Sequence, residues 1–131
     1  MNLLLDTHVW VWCHLRPKKL SRPAYRLIED PRNDLWLSSA SVWEFVTLSG
    51  KARFGPIPAP FAWIEEAMER LPTRDAPLTR AIALEAGRFR MPHNDPMDYL
   101  IVATARVLEL TLVTADQNII ASKATRIVEA V

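Results

Sequence analysis

The sequence is poor in the residues that build several common kinds of site. It has one cysteine, Cys13, which excludes an intramolecular disulfide framework and a cysteine-rich zinc centre. It has three glycines against ten prolines, and neither G-x-x-x-x-G-K-[ST] nor G-x-G-x-x-G occurs, so the usual phosphate-cradling loops are absent. No apolar run approaches the ~18 residues of a membrane span. The start, Met1-Asn2-Leu3-Leu4-Leu5-Asp6, meets an acid directly after its leucines and has no basic flank, unlike a signal peptide. The histidines His8, His14 and His93 lack H-E-x-x-H spacing; His8 and His93 flank acids and could support a site or touch substrate, but a packed or solvated role is the expectation. The net charge is only +1, so any contact with nucleic acid has to come from a local patch. Arg16, Lys18, Lys19, Arg22 and Arg26 are the candidate, although a run of this kind is ordinarily a solvated face.

What is present fits one globular domain, residues 1–131. Half of the 131 residues are hydrophobic and 24% are charged, enough to bury a core without a disulfide or metal staple. The single cysteine fits a reducing, cytoplasmic setting. Met1–Leu5, Leu35–Ser38, Thr111–Thr114 and Arg126–Val128 read as short buried strands, with room for another in Leu71–Pro77. Helices are expected over Thr7–Leu15, from a Ser21 cap to about Glu29, and over Ser41–Ser49, where Gly50 stops the chain. A loop follows over 51–59, then helices Pro60–Arg70 and Thr79–Arg88. A long helix runs from Pro96 to about Glu109, with Met97, Leu100, Ile101, Ala105 and Leu108 as its buried stripe. Asp116–Ala121 is a turn or short helix. Short apolar strands alternating with helices imply an α/β fold with a parallel sheet covered on both faces.

Four acids then draw attention. Asp6 follows the first strand and Asp116 follows the Thr111–Thr114 strand. In a parallel α/β sheet both positions lie at the carboxyl edge, where ligands bind. Glu44 lies in the first turn of the helix after the second strand. Asp98 opens the helix that leads to the Thr111 strand, and topology decides whether it reaches the same edge. Each has a plain explanation as a cap or first-turn acid; Ser41-Val42-Trp43-Glu44 fits a capping box. That explanation is weakest for Glu44, whose neighbours Val42, Trp43, Phe45, Val46 and Leu48 are apolar nearly all round. An unpaired buried carboxylate is costly, and several around one pocket repel unless a cation lies between them. Oxygen ligands of this kind suit Mg²⁺ or Mn²⁺, which activate water for in-line phosphoryl displacement.

These residues resemble a family, the PIN-domain ribonucleases and in particular the VapC-type toxins of bacterial toxin–antitoxin pairs. The resemblance covers nearly the whole chain. It rests on Leu3-Leu4-Leu5-Asp6-Thr7-His8, on Ser41-Val42-Trp43-Glu44, on His93-Asn94-Asp95-Pro96-Met97-Asp98 with Leu100-Ile101-Val102-Ala103, and on Leu112-Val113-Thr114-Ala115-Asp116. It implies a PIN-like three-layer sandwich whose central parallel sheet has about five short strands, with the acids at its carboxyl edge. It implies that Asp6, Glu44, Asp98 and Asp116 bind metal and catalyse, with Asp95, Thr114 and Thr7 accessory. It further implies Mg²⁺-dependent cleavage of RNA, a homodimer, and a cognate antitoxin.

Three positions depart from the family pattern. Tyr99 stands where arginine is usual after the second acid of Asp-Pro-x-Asp. Leu48 replaces a basic residue four positions after the glutamate. Ile119 and Ile120 occupy the place of an aromatic after the last acid. Competing readings fit less well. A receiver-like phospho-acceptor domain wants an acidic pair after the first strand, and a haloacid-dehalogenase-type phosphatase wants a second acid where His8 stands. A non-catalytic PIN-like binding module is expected to have lost an acid. Among the tryptophans, Trp10 and Trp12 cannot share one helix face, and with Phe61 and Trp63 they suggest surface left for a partner copy.

Overall fold

In the computed structural model, residues 1–48 and 57–131 are described. The expected stop at Gly50 and the first part of the expected 51–59 loop lie outside them. Five strands, β1 (Asn2–Leu5), β2 (Asp34–Ser38), β3 (Arg74–Ala76), β4 (Thr111–Thr114) and β5 (Ile127–Glu129), form one sheet in the order β3-β2-β1-β4-β5. Every pairing is parallel. The central strand β1 is registered against β2 by Leu3 on Leu35 and against β4 by Leu5 on Val113.

The sheet is buried on both sides, which is why β1 reads as an unbroken leucine run rather than an alternating one. Leu3 and Leu5 enter one core with Val9, Trp10 and Phe45. Leu4, one residue out of phase, enters the other with Ile101, Val102 and Leu112. Around the sheet run α1 (Thr7–Leu15), α2 (Arg22–Glu29), α3 (Ser39–Leu48), α4 (Pro60–Arg70), α5 (Arg80–Ala86), α6 (Pro96–Val107) and α7 (Gln117–Ser122). A single 3-10 turn, Pro17–Lys19, follows α1; it was not foreseen from the sequence. The architecture is the three-layer α/β arrangement anticipated.

Two local expectations need correction. Helix α3 starts at Ser39, and Ser38 Oγ accepts from the Ala40 N–H at 3.0 Å. Ser41 is therefore an interior helix residue and not the start of a capping box. It is fully buried, and its Oγ accepts a 2.9 Å hydrogen bond from Thr7 Oγ1 that ties α3 to α1. The stripe on α6 is also broader and shorter than its periodicity suggests. Ile101 to Ala105 are buried without a break, while Leu108 is exposed, because α6 lies between the sheet and helices α5 and α3.

Candidate active site

Asp6 and Asp116 sit where a strand hands over to a helix; Glu44 lies in the interior of α3 and not in its expected first turn, because that helix already starts at Ser39, and Asp98 opens a helix that follows α5 rather than a strand. Asp6 caps α1: its Oδ1 accepts from the Thr7 N–H at 2.7 Å. Asp116 caps α7, its Oδ1 accepting from the Asn118 and Ile119 N–H groups at 2.9 and 3.1 Å. Asp95 caps α6 through the Met97 N–H at 3.0 Å, and Asp98 lies in the first turn of that helix. So the capping role and a ligand role are compatible. In Asp95 and Asp116 one carboxylate oxygen anchors the helix and the other remains for the site, while in Asp6 the second oxygen also accepts from Thr114 and keeps a lone pair for it.

The acids converge. Asp6, Glu44, Asp95, Asp98 and Asp116 line one cavity of about 190 Å³. The uncertain case, Asp98, reaches the edge because α3 packs against both α1 and α6 and so closes the cavity wall. Thr114, fully buried, bridges two of the acids. Its Oγ1 donates to Asp6 Oδ2 at 2.7 Å and accepts from the Asp116 N–H at 3.1 Å. Thr7 does not line the cavity; its hydroxyl is spent on Ser41 behind it.

Crowding shows in the protonation of these groups. Burial, above all, pushes the Asp6 carboxyl above its ordinary range, against the Thr114 hydrogen bond that lowers it. Burial likewise pushes Asp98 up to about 6; the His93 contact opposes this, and the charges of Asp95, Asp6 and Asp116 add to it. Two carboxyls raised by burial, with further acids beside them, mark a site for positive charge.

Sequence reasoning ranked His93, beside the acids, as a packed or solvated histidine. Its Nε2 lies 2.7 Å from Asp98 Oδ2. Among the described residues, His93, Asp98 and Asp116 form the triple whose potential ligand atoms all lie within 4.8 Å of one another. The signal available was its place two residues ahead of Asp95. Trp12 was half understood: it lines the cavity together with His8. Lys19 Nζ lies 4.9 Å from its ring centre. Trp10 is fully buried in the core, and Trp63 stacks on Phe45 at 4.6 Å. Of the aromatics expected to face a partner, Phe61 alone is clearly exposed. Trp43, not expected there, is 61% exposed.

Volume does not mark the site. A slightly larger cavity of about 230 Å³ lies elsewhere, lined in part by Cys13, His14 and Arg70. Burial pushes the Cys13 thiol there up to about 12, so it is no nucleophile.

The PIN domain family model matches residues 3–124. The chain belongs to the PIN domain family. Ribonuclease VapC22 of Mycobacterium tuberculosis is 30% identical over 121 residues, covering 90% of this chain and 89% of the relative. Two solved structures share the fold of this PIN domain at low identity. VapBC2 from Rickettsia felis, bound to a DNA fragment from their promoter, has a TM-score of 0.71 at 15% identity, with all of both chains covered. VapBC-5 from Mycobacterium tuberculosis, a member of the VapBC family of toxin–antitoxin systems, has 0.63 at 17%, with 98% of both covered. Tyr99, the departure from the usual arginine, has a definite place in this PIN domain. Its hydroxyl accepts from the Met91 N–H at 2.7 Å and lies 3.3 Å from the Met91 carbonyl. Its ring stacks on Phe89. Ile119 is fully buried in the core beside the sheet. No helix among the described residues is long and apolar enough to cross a membrane.

Proposed function

We propose that the protein is a Mg²⁺-dependent endoribonuclease and the toxin of a VapBC-type toxin–antitoxin pair, acting in the cytoplasm. The observation that carries this reading is the convergence of Asp6, Glu44, Asp98 and Asp116 on one cavity. The kinship with Ribonuclease VapC22 supports RNA as the substrate. Structural likeness to a VapBC toxin–antitoxin system supports an antitoxin as partner.

The donors fit a hard divalent ion. They are carboxylate oxygens, and two of the carboxyls, Asp6 and Asp98, are held above their ordinary range chiefly by burial, with neighbouring acids adding to it. When bound, such an ion supplies the positive charge that activates water and offsets the charge of a phosphoryl transition state. Asp6, Asp98 and Asp116 would hold it. Glu44, half-buried on α3, holds the ion or takes the proton of the incoming water on its carboxylate. Thr114 keeps the Asp6 and Asp116 carboxyl groups at a fixed separation, and Asp95 anchors the helix that presents Asp98. Lys19, over Trp12 at the cavity wall, brings the basic run to the site and draws in the RNA backbone. Trp43 and Phe61, 61% and 70% exposed, are apolar surface suited to a homodimer, the commonest closed assembly. Sedimentation at micromolar concentration tests that assembly.

The test of activity is cleavage of a mixed RNA substrate with Mg²⁺ and with chelator, by wild type and by Asp116→Asn. Cleavage that needs Mg²⁺ and is lost in the variant is the expected result. A folded wild type that binds RNA without cutting it would instead mark a binding module.

A further inference from the structure

We propose that His93 is a direct ligand of the cation, shared with Asp98 and Asp116, and that its nitrogen makes the site favour manganese over magnesium. This rests on the reading that the acid cluster holds a divalent ion. The tightest potential ligand set among the described residues is not three of the four expected carboxylates. It is His93, Asp98 and Asp116, with ligand atoms all within 4.8 Å of one another.

The imidazole is placed before any ion arrives. His93 lies in the connection between α5 and α6, and both ends of its short segment are fixed. At one end the Tyr99 hydroxyl takes the Met91 N–H at 2.7 Å. At the other, Asp95 caps α6 through Met97. The ring therefore reaches Asp98 from a loop whose backbone is held by a hydrogen bond on either side.

Its hydrogen bonding is incomplete in a telling way. Nε2 meets Asp98 Oδ2 at 2.7 Å, while Nδ1 is buried with no hydrogen-bond partner. With Nδ1 enclosed, Nε2 is the ring nitrogen that can face a cation. Around Asp98 stand Asp95, Asp6 and Asp116, all oxygen donors, and His93 brings a nitrogen donor against Asp98 from outside the cavity lining, where His8 supplies the other imidazole. An all-oxygen set accepts magnesium well, but an imidazole donor shifts preference along the first-row series, beginning at manganese.

Electron spin-echo modulation of protein-bound Mn²⁺ detects a directly bonded nitrogen and decides the point. The expected result is nitrogen modulation in wild type and in His8→Gln, and none in His93→Gln. His14 lines the separate cavity near Arg70, which leaves His93 as the source. The Mn²⁺ affinity of His93→Gln should fall at least ~10-fold, with a smaller fall for Mg²⁺. If His93→Gln does not fold, nitrogen-15 labelling of histidine in wild type and in His8→Gln gives the same answer. Mn²⁺ bound through Asp98 and Asp116 without nitrogen modulation makes His93 only a hydrogen-bond partner of Asp98; the proposal then fails while the acid-cluster reading stands. Modulation that survives in His93→Gln overturns it as well. If neither Mn²⁺ nor Mg²⁺ binds wild type, both readings fall.

Discussion

Thr114 and Asp6 lie 108 residues apart in sequence and share a 2.7 Å hydrogen bond that closes the end of β4 onto the end of β1. The same hydroxyl accepts from the Asp116 N–H. Thr114→Val keeps the shape and removes both bonds. The buried Asp6 carboxylate then loses a donor, at a cost of ~1–3 kcal/mol. Its carboxyl moves further above the ordinary range, and cation affinity falls ~10–100-fold. Titration calorimetry with Mn²⁺ measures this, and Thr114→Ser should behave as wild type.

Asp98→Asn should abolish cleavage and leave the fold intact. It removes one charge from a crowded set, so the protein in chelator should melt higher than wild type. Added Mg²⁺ should raise the wild-type melting temperature and raise the variant's much less. The scale is about 2.7 kcal/mol when the ion stands a hundredfold above its dissociation constant. If Asp98 were only a first-turn helix acid, the substitution would cost ~0.3–1 kcal/mol, and cleavage would survive.

The pH dependence has a definite sign. The Asp98 carboxyl rises from 3.8 to about 6 in the folded protein, chiefly through burial. The folded state therefore binds that proton more tightly than the unfolded chain, and stability falls as pH rises between ~4 and ~6. Melting in chelator across this window should show the decline, and Asp98→Asn should lessen it, leaving the share of Asp6, whose carboxyl burial also raises. Asp30, held low by Arg32, and Glu85, held low by Arg106 and Arg88, push the other way in both proteins. They cancel in the comparison.

Neutralising Arg16, Lys18 and Lys19 should weaken RNA binding uniformly across sequences and flatten its salt dependence, because fewer counterions are released. Lys19→Ala alone should carry the largest share, since Lys19 stands against the cavity wall. Arg32, paired bidentately with Asp30, should contribute little. Filter binding at stepped salt measures all of these. An unchanged salt slope would move the RNA track to another face.

Tyr99→Phe keeps the stacking on Phe89 and loses the clamp on Met91. A nearly buried N–H is left without its partner, costing ~1–3 kcal/mol. Cation affinity should fall along with stability, because His93 follows Met91 on the same segment. Chemical denaturation alongside a Mn²⁺ titration checks both.

The parts legible in the sequence were those fixed by local rules. A leucine run ended by an acid is a buried strand followed by a cap, and β1 with Asp6 and β4 with Asp116 follow from that pattern. Glu44 was correctly expected to be partly buried, though for an imperfect reason, since Trp43 beside it faces outward. Ser41 was misassigned because a serine and a glutamate at capping-box spacing look the same whether the helix starts there or two residues earlier. The deciding contact, with Thr7, comes from another helix. Asp98 could not be placed, because only the packing of α6 against α3 and the sheet brings it to the edge. A site role for His93 was ranked below a packed or solvated one for the same reason. Its partner Asp98 is near in sequence, but Asp116 arrives from β4, and no local spacing announces a triple assembled across the fold.

The strand order carries a consequence for the timing of synthesis. β1 is translated early yet occupies the middle of the sheet, and its second neighbour, β4, is made about a hundred residues later. Until β4 emerges, Leu4 lacks half of its core, Asp6 lacks the Thr114 hydroxyl, and neither Asp98 nor Asp116 is in position. A nascent chain proposed to cut RNA is thus assembled beside the ribosome without a working cavity. The cavity closes only after β4 and Asp116 behind it have been made.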